Sequence, residues 1–233
     1  MPTALVTGAT EGIGRAIAFA LGAAGYRVGI CARTPSRLRP VLESLQAAGY
    51  TAAAAPCDVG VEADVKTAVR DLTAEIGPID TLVNNAGVAI LKPFLELSVE
   101  DWDTTMATNL RSMFLVTREV LPGMRERKTG NIVNIASLAG KNGFAGGTAY
   151  TASKHAVLGF SKSLMMEVRK ENIRVLTICP GSVDTGMMRN QSVLTPDLDR
   201  ILLPEDIARV VIDALALPTR ALVSELDIRP TNP

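Results

Sequence analysis

The sequence predicts one α/β domain built on a doubly wound, parallel seven-stranded sheet with helices on both faces, a Rossmann-like fold. Two observations predict it. Short apolar segments alternate with longer segments of helical periodicity along the 233 residues, and a glycine-rich loop follows the first apolar segment directly. Such alternation is typical of parallel sheets, whose ligands bind at the carboxyl ends of the strands. We therefore expect residues 1–233 to form a single domain that binds a dinucleotide and carries the catalytic site.

Composition narrows the class of partner. Hydrophobic residues make up 47% of the chain, and 24 basic residues balance 24 acidic ones. This balance gives no broad basic surface for nucleic acid or an anionic membrane, so we expect a small-molecule partner. No apolar run approaches the roughly 18 residues that a membrane span requires.

Cysteine and histidine usage argues against a disulfide or a metal site. Cys31, Cys57 and Cys179 are widely spaced in apolar sequence, as buried free thiols are in a reducing compartment. His155 is the only histidine, and strand-like sequence begins at Thr3 with no signal peptide before it. We expect a cytoplasmic protein without a metal site.

The first predicted strand, residues 3–7, leads into G-A-T-E-G-I-G at 8–14, and residues 15–24 have helical composition. In this order the loop amides and the helix N-terminus can face a pyrophosphate, and the missing side chains allow close approach. The sequence predicts a nucleotide-binding loop that includes Gly8, Thr10, Glu11, Gly12, Ile13 and Gly14.

The second strand, residues 27–32, ends beside Arg33, and a helix is predicted over 34–48. NAD-binding chains usually place an acidic residue here to hold the adenosine ribose. Arg33 and Arg37 suit a 2′-phosphate instead, so the sequence favours NADP, with NAD as the alternative. Against this, the two arginines could merely solubilise the helix start, and Glu11 adds a negative charge that opposes phosphate binding.

The third strand, residues 51–56, is followed by Cys57-Asp58-Val59, and a helix is predicted over 61–76. Asp58 could accept a hydrogen bond from an adenine amino group or cap that helix, and the sequence leaves both roles open. The fourth strand, 80–83, ends in N-N-A-G. Asparagines there can hold neighbouring strand ends together, while Ala86 and Gly87 leave room for a flat ligand.

A long helix is predicted over 98–127, with Asn109 on its apolar face. A buried asparagine needs partners, so Asn109 either makes structural hydrogen bonds or belongs to a polar relay. The fifth strand, 131–136, delivers Ser137 to the end of the sheet.

Ser137, Tyr150 and Lys154 form the most distinctive segment. A helix is predicted over 150–169, and four residues of helix advance about 6 Å and little more than one turn, so the phenol and the ammonium share a face. A nearby ammonium would lower the pKa of Tyr150 and make it a general acid or base. Ser137 could bind the oxygen on which charge develops when a carbonyl is reduced. Taken alone, Tyr150 and Lys154 could also be an ordinary surface helix pair.

The last part of the chain contains two strands, a helix and an irregular segment. The sixth strand, 173–179, is closed by P-G-S-V-D-T at 180–185. Residues 186–203 have no clear period, so we expect a mobile flap over the substrate. A last helix is predicted over 204–215 and a seventh strand over 221–228.

In combination, these motifs resemble those of the short-chain dehydrogenase/reductase family, in its compact single-domain branch. The loop at 7–14 resembles the family's cofactor loop, and N-N-A-G at 84–87 resembles its central-sheet motif. Asp58 and P-G-x-V-x-T at 180–185 match further cofactor contacts. Four residues match the catalytic tetrad, namely Asn109, Ser137, Tyr150 and Lys154. The resemblance covers residues 3 to 185.

The resemblance implies hydride transfer between a nicotinamide dinucleotide and a carbonyl or secondary alcohol. Tyr150 would exchange the proton, Lys154 would hold the nicotinamide ribose and lower the Tyr150 pKa, and Ser137 would orient the substrate oxygen. Asn109 would connect Lys154 to solvent through a bound water. The expected cofactor-binding residues are Gly8, Thr10, Glu11, Gly12, Ile13, Gly14, Arg33, Arg37, Asp58, Val59, Asn85, Ala86, Gly87, Tyr150, Lys154, Pro180, Gly181, Val183 and Thr185.

The resemblance also implies a homodimer or homotetramer formed through the two long helices, which fits their excess of apolar residues. Many reductases of the family end in a glycine-rich strand and tail, whereas this chain has S-E-L-D-I-R-P-T-N-P, which leaves the subunit arrangement open. The predicted substrate mouth is uncharged and favours an apolar or uncharged ketone: Leu91, Leu138, Phe144, Val183, Met187 and Met188. The alternatives are a 3-oxoacyl thioester, whose carrier would dock outside the pocket, and a nucleotide-binding scaffold without turnover.

Overall fold

The sheet is built from short strands that are buried on both faces. The computed structural model describes residues 1–191, 193 and 197–231. Within them, all strands are parallel and lie in the order β3-β2-β1-β4-β5-β6-β7. The strands are β1 (Thr3–Thr7), β2 (Arg27–Ala32), β3 (Ala52–Pro56), β4 (Thr81–Asn84), β5 (Gly130–Ile135), β6 (Ile173–Pro180) and β7 (Glu225–Ile228).

Helices cover both faces of this sheet, and a large hydrophobic core lies on each face. They are α1 (Gly12–Ala23), α2 (Pro35–Ala47), α3 (Glu62–Ile76), α4 (Val99–Met106), α5 (Ser112–Arg127), α6 (Thr148–Val168), α7 (Gly186–Arg189) and α8 (Pro204–Ala216). One core joins α1, α2 and α8 to the sheet, and the other joins α3, α5 and α6.

Strand β1 shows why short apolar runs become central strands. Ala4 and Val6 lie in the core beneath α1, whereas Leu5 lies in the core beneath α3. Successive side chains of a strand point to opposite faces, so a strand covered on both faces needs a continuous apolar run. The predicted Rossmann-like fold is confirmed.

Three predicted elements differ from the structure. The helix expected over 98–127 is interrupted by a π-helical turn, Ala107–Arg111, between α4 and α5. Strand β7 begins at Glu225 instead of residue 221, because a turn in which the N–H of Ala221 binds the Pro218 carbonyl precedes it. The segment expected to be an irregular flap begins with α7, and its Leu202 pairs with Val183. Residues 192 and 194–196 of that flap lie outside the described residues.

The order of the strands fixes the position of the site. β1 has β2 on one side and β4 on the other, so the chain reverses its direction of progress across the sheet at β1. At such a switch point the loops after adjacent strands diverge and leave a crevice at the carboxyl edge. None of the described helices is long and apolar enough to span a bilayer.

Candidate active site

A cavity of about 650 Å³ at the carboxyl edge brings the predicted site residues together. Loops that follow all seven strands contribute to its wall. Every predicted cofactor-binding residue lines it, as do Ser137, Tyr150 and Lys154. Asn109, the remaining predicted catalytic residue, is fully buried and lies outside the lining.

The glycine loop after β1 is shaped by close backbone approach. Gly8 has φ +65°, and a Cβ there would lie 2.8 Å from the Cα of Ala86. Gly12 has φ +53°, and its Cβ would lie 3.0 Å from the Thr185 methyl. Glu11 precedes α1 without a side-chain cap, so the first amides of this helix are available to an anion. The loop therefore fits a dinucleotide pyrophosphate.

The arginines after β2 differ in their surroundings. The Arg37 guanidinium pairs with the Glu11 carboxylate at 2.6 Å. Glu11 therefore has its charge offset by Arg37, and its expected opposition to phosphate is reduced. Arg33 is exposed at the cavity wall. Binding of a 2′-phosphate by Arg33 and Arg37 stays a prediction.

Asp58 does not cap the helix that follows it, so this one of the two predicted roles is wrong. Its carboxylate accepts the N–H of Gly60 at 2.9 Å, and the N-cap residue before α3 is Val61, which makes no side-chain cap. The short loop from Asp58 to Val61 turns the carboxylate back onto its own backbone and away from the helix. Hydrogen bonding to adenine stays a prediction.

The asparagines after β4 tie strands together, as expected. Asn85 donates its amide to the carbonyl oxygens of Thr7 and Gly8 at 3.0 and 3.1 Å. Asn84 donates to the Asn134 side chain at 2.9 Å and to the Thr117 hydroxyl at 3.1 Å. These bonds fix the ends of β1, β4 and β5 relative to each other.

Asn109 has all its polar atoms satisfied by the protein. Its Oδ1 accepts the Val88 N–H at 2.7 Å, and its Nδ2 donates to the Val88 carbonyl and to the Ser153 hydroxyl. The π-helical turn that contains it widens the helix there, and such turns are frequent at functional sites. A Cβ on Gly87 would lie 3.3 Å from Asn109 Oδ1 and 3.8 Å from Lys154 Nζ. Gly87 thus lies beside both Asn109 and Lys154. The predicted water relay, in which Asn109 connects Lys154 to solvent, stays a prediction.

Lys154 is buried and donates a hydrogen bond of 2.9 Å from its Nζ to the Ile135 carbonyl. Burial lowers its pKa to about 8, since the charged form loses hydration. The ammonium lies 5.8 Å from the centre of the Tyr150 ring, one helical turn away. The predicted shared face of α6 is confirmed.

The pKa of Tyr150 moves in the direction opposite to the sequence-based expectation. Burial raises the pKa of the phenol, and a hydrogen bond with Ser137 only partly offsets this. Lys154 does not lower it here, because the ammonium is directed to the Ile135 carbonyl. The phenol is therefore protonated at neutral pH, which is the state that a proton donor needs.

The substrate side of the cavity is mainly apolar. All six residues predicted at the substrate mouth line it, including Leu138, Met187 and Met188. Ser137 and Tyr150 line the same cavity, and the Ser137 hydroxyl acts to lower the pKa of the phenol. The cavity therefore joins the glycine loop to a buried phenol beside an apolar region.

A family model described as short chain dehydrogenase matches residues 2–193. The chain belongs to the short-chain dehydrogenase family. A "Putative ketoacyl reductase" from Streptomyces coelicolor is 46% identical over 186 residues, which cover 79% of this chain and 71% of the relative. Acetoacetyl-CoA reductase from Cupriavidus necator is 36% identical over 215 residues, 89% of this chain and 87% of the relative.

A solved structure with the same fold is an actinorhodin polyketide ketoreductase crystallised with NADPH. Its TM-score to this short-chain dehydrogenase is 0.92 at 36% identity, over 98% of this chain and 96% of the other. The expected family is confirmed, and with it the expectation of an oxidoreductase that uses a nicotinamide dinucleotide.

Two features of this short-chain dehydrogenase were missed from sequence. Gln191 reaches across the cavity and donates to the Ala89 carbonyl at 2.9 Å. Arg229 and Pro230, directly after β7, also line the cavity. Arg229 and Pro230 could have been predicted from their position, because ligands bind at the carboxyl ends of parallel strands and these two residues follow β7. The cavity wall therefore includes a cation besides the six uncharged residues predicted at the substrate mouth.

A cluster behind Ser137 shows how the tail is fixed. Cys179 Sγ and the carboxylates of Glu225 and Asp227 lie within 4.8 Å of one another. The Lys141 ammonium lies 2.5 Å from both carboxylates, so a lysine already occupies the position in which a cation would be bound. Lys141 thereby ties the loop after Ser137 to β7.

Proposed function

We propose that this short-chain dehydrogenase is an NADPH-dependent reductase that converts a 3-oxoacyl thioester to the 3-hydroxyacyl thioester. The observation that carries the proposal is the meeting of Ser137, Tyr150 and Lys154 in one cavity with the glycine cradle. The names of the relatives from Streptomyces coelicolor and Cupriavidus necator support the substrate class. A 3-oxoacyl group is uncharged where it reacts, in keeping with the apolar pocket.

The residues present fit NADPH along the length of the cavity. The cradle at Gly8 and Gly12 has no room for side chains, and Arg33 stands at the adenosine end. The buried Lys154 lies where it can hold ribose hydroxyls, and Val183 and Thr185 line the same cavity. When bound, the nicotinamide supplies the hydride. NADPH in the actinorhodin ketoreductase supports this cofactor choice.

Tyr150 provides the proton in this mechanism. Burial keeps its pKa raised, so the phenol holds its proton at neutral pH until an alkoxide develops next to it. Ser137 lines the same cavity as the phenol and can donate a hydrogen bond to the same substrate oxygen. A carbonyl placed between these two hydroxyls is polarised and then protonated by Tyr150.

Contacts of Lys154 and Asn109 position the Tyr150 phenol, the proton donor of this mechanism. Lys154 holds α6 to the end of β5, and Asn109 binds the Ser153 hydroxyl on the same helix. Both contacts restrict the rotation of α6, which carries Tyr150. The geometry of the proton donor is therefore set before substrate enters.

The proposal is tested by following the absorbance of reduced nicotinamide with acetoacetyl-N-acetylcysteamine, a panel of simple hydrophobic ketones, and charged sugars. We expect the thioester to be reduced with the highest kcat/KM and NADPH to be preferred over NADH. Efficient reduction of charged sugars without turnover of the thioester would contradict the proposal.

We also propose that the protein acts as a homodimer or homotetramer in the cytoplasm. An apolar groove between the α4–α5 region and α6 is lined by Leu110, Phe114 and Phe160, and Phe114 is 48% exposed. Apolar area of this kind supports association of the two long helices with a second copy. Sedimentation of the parent and of Phe114→Lys checks it, since a charge in the groove should yield monomers.

A further inference from the structure

The tail after β7 forms part of the wall of the substrate region. The N–H of Gly181 binds the Ile228 carbonyl at 2.8 Å, which holds the end of β7 against the loop after β6. A Cβ on Gly181 would lie 3.1 Å from Pro230 Cδ and 3.3 Å from Leu138 Cδ1. Arg229, between Ile228 and Pro230, therefore lies beside the loop that follows Ser137, and it lines the same cavity.

The guanidinium of Arg229 is available to a ligand. Its side chain is 57% exposed, and its ion-pair partner within the described part of the chain is Asp227, at a long 3.5 Å. Asp227 already binds the Lys141 ammonium at 2.5 Å. A pair that is both long and exposed contributes little, so Arg229 can leave it at small cost.

The charges around Asp227 leave an excess of one positive charge. Its carboxylate and that of Glu225 face three cations, because Lys162 also pairs with Glu225 at 3.2 Å and Lys141 contacts both carboxylates. Burial raises the pKa of the neighbouring Cys179 to about 11, so its thiol adds no negative charge at neutral pH. Of the three cations, Arg229 has the longest ion pair and is the one that lines the cavity.

Arg229 lies far from the arginines that serve the adenosine end. Arg33 follows β2, and β1, β4, β5 and β6 separate β2 from β7 in the sheet. Five steps between neighbouring strands correspond to about 24 Å. The cavity therefore has a positive group at each end, with Tyr150 and Ser137 between them.

We propose that Arg229 binds an anionic group of the substrate, away from the carbonyl that is reduced. The inference rests on the proposed reduction of a 3-oxoacyl group and adds that the substrate carries a negative charge; a carboxylate source would replace the thioester of the proposed function by a free 3-oxo acid. The anion has two chemical sources, the phosphates of a coenzyme A or phosphopantetheine carrier and the carboxylate of a short 3-oxo acid. Guanidinium binds both groups through paired hydrogen bonds.

The test compares three substrates that share one acyl group. Acetoacetyl-CoA has the phosphates, acetoacetyl-N-acetylcysteamine has the same thioester without them, and acetoacetate has a carboxylate. Each is assayed with NADPH against the parent, Arg229→Gln and Arg229→Lys. Arg220→Gln is the matched control, because Arg220 is an exposed arginine outside the cavity lining.

We expect Arg229→Gln to lower kcat/KM for one of the anionic substrates about tenfold, as loss of one charge-assisted contact does. The neutral thioester should change less than about twofold on the same reasoning, and Arg229→Lys should recover part of the loss. A loss confined to acetoacetyl-CoA identifies phosphate, and one confined to acetoacetate identifies carboxylate. In both cases added salt should reduce the difference.

Three results overturn the inference. They are an equal loss on all three substrates, no loss on either anion, and a fall in NADPH affinity that accounts for the whole effect, measured by fluorescence titration. A parent that reduces the neutral thioester while Arg229→Gln behaves like Arg220→Gln overturns this inference and leaves the proposed function standing. A parent that reduces none of the three overturns both.

Discussion

The ammonium of Lys154 and the carbonyl oxygen of Ile135 are joined by a hydrogen bond of 2.9 Å. Ile135 is the last residue of β5, and Ser137 follows two residues later. The bond thus connects the helix that carries Tyr150 to the strand that delivers Ser137. It also explains why the charge of Lys154 stays buried beside a carbonyl instead of approaching the phenol.

The burial of Lys154 makes the stability of the ligand-free protein depend on pH. Its pKa is lowered from 10.5 to about 8, so between these values the unfolded chain binds more protons than the folded one. Stability contributed through this group is therefore lowest below pH 8 and recovers as pH rises toward 10.5. As the pH rises across that window, the free energy of unfolding of the parent should increase by about 3 kcal/mol relative to that of Lys154→Met.

Urea unfolding of both proteins at neutral pH and above pH 10.5 measures this change. Lys162→Met, which removes an exposed lysine from the same helix, is the control. A parent-minus-variant difference that does not change with pH would show that Lys154 is not titrating in this window.

Replacing Tyr150 with Phe removes the proton donor and keeps the ring. We expect turnover with NADPH to fall about 10²- to 10⁴-fold, the usual contribution of a general acid. NADPH affinity, measured by fluorescence titration, should stay near that of the parent. Tyr50→Phe is the control, since Tyr50 is partly buried against Phe19 and lies outside the cavity. Unchanged turnover in Tyr150→Phe would remove this residue from the mechanism.

Arg33→Asp should reverse the cofactor preference. Loss of a charge-assisted contact to a 2′-phosphate, with repulsion added, should weaken NADPH binding about tenfold to a hundredfold and affect NADH much less. Arg39→Asp makes the same charge change on α2 outside the cavity, where Arg39 pairs with Glu43, and serves as the control. If both variants weaken NADPH equally, the effect is one of net charge and not of a phosphate site.

Alanine variants of Gly8 and Gly25 distinguish the effect of backbone strain from the effect of a close backbone contact. Both have positive φ, but a Cβ on Gly8 would meet the Ala86 backbone, whereas nothing lies within 4 Å of one on Gly25. Gly25→Ala should cost about 1–2 kcal/mol of stability and leave NADPH affinity unchanged. Gly8→Ala should cost more and also weaken NADPH binding. Thermal unfolding measures the stability of both variants, and fluorescence titration measures their NADPH affinity. Equal effects of the two variants would contradict the role of Gly8 in cofactor binding.

The fold, and the gathering of the predicted site residues around one cavity, were predictable because they depend on local signals. Strands that are buried on both faces have continuous apolar sequences, as β1 does. Because the carboxyl ends of parallel strands lie at one edge of the sheet, the loops after them are expected to lie together. Tyr150 and Lys154 are related by helical spacing alone. These relationships need no knowledge of which distant segments touch.

The features that could not be predicted from the sequence depend on burial and on long-range contacts. The π-helical turn at Asn109 has ordinary helical composition, so its extra residue leaves no periodic signal. The rise in the Tyr150 pKa depends on how completely the ring is desolvated. Arg229 enters the cavity only because β7 lies beside β6, and Lys141 finds Asp227 across 86 residues of chain.

The attachment of the tail has a consequence for the growing polypeptide. Ile228 secures the loop after β6, and Asp227 secures the loop after Ser137 through Lys141. A nascent chain that stops before Glu225 already contains Ser137, Tyr150 and Lys154, yet it lacks the strand that braces both loops. We therefore expect the wall of the cavity to be complete only after the seventh strand has been synthesised and has paired with β6.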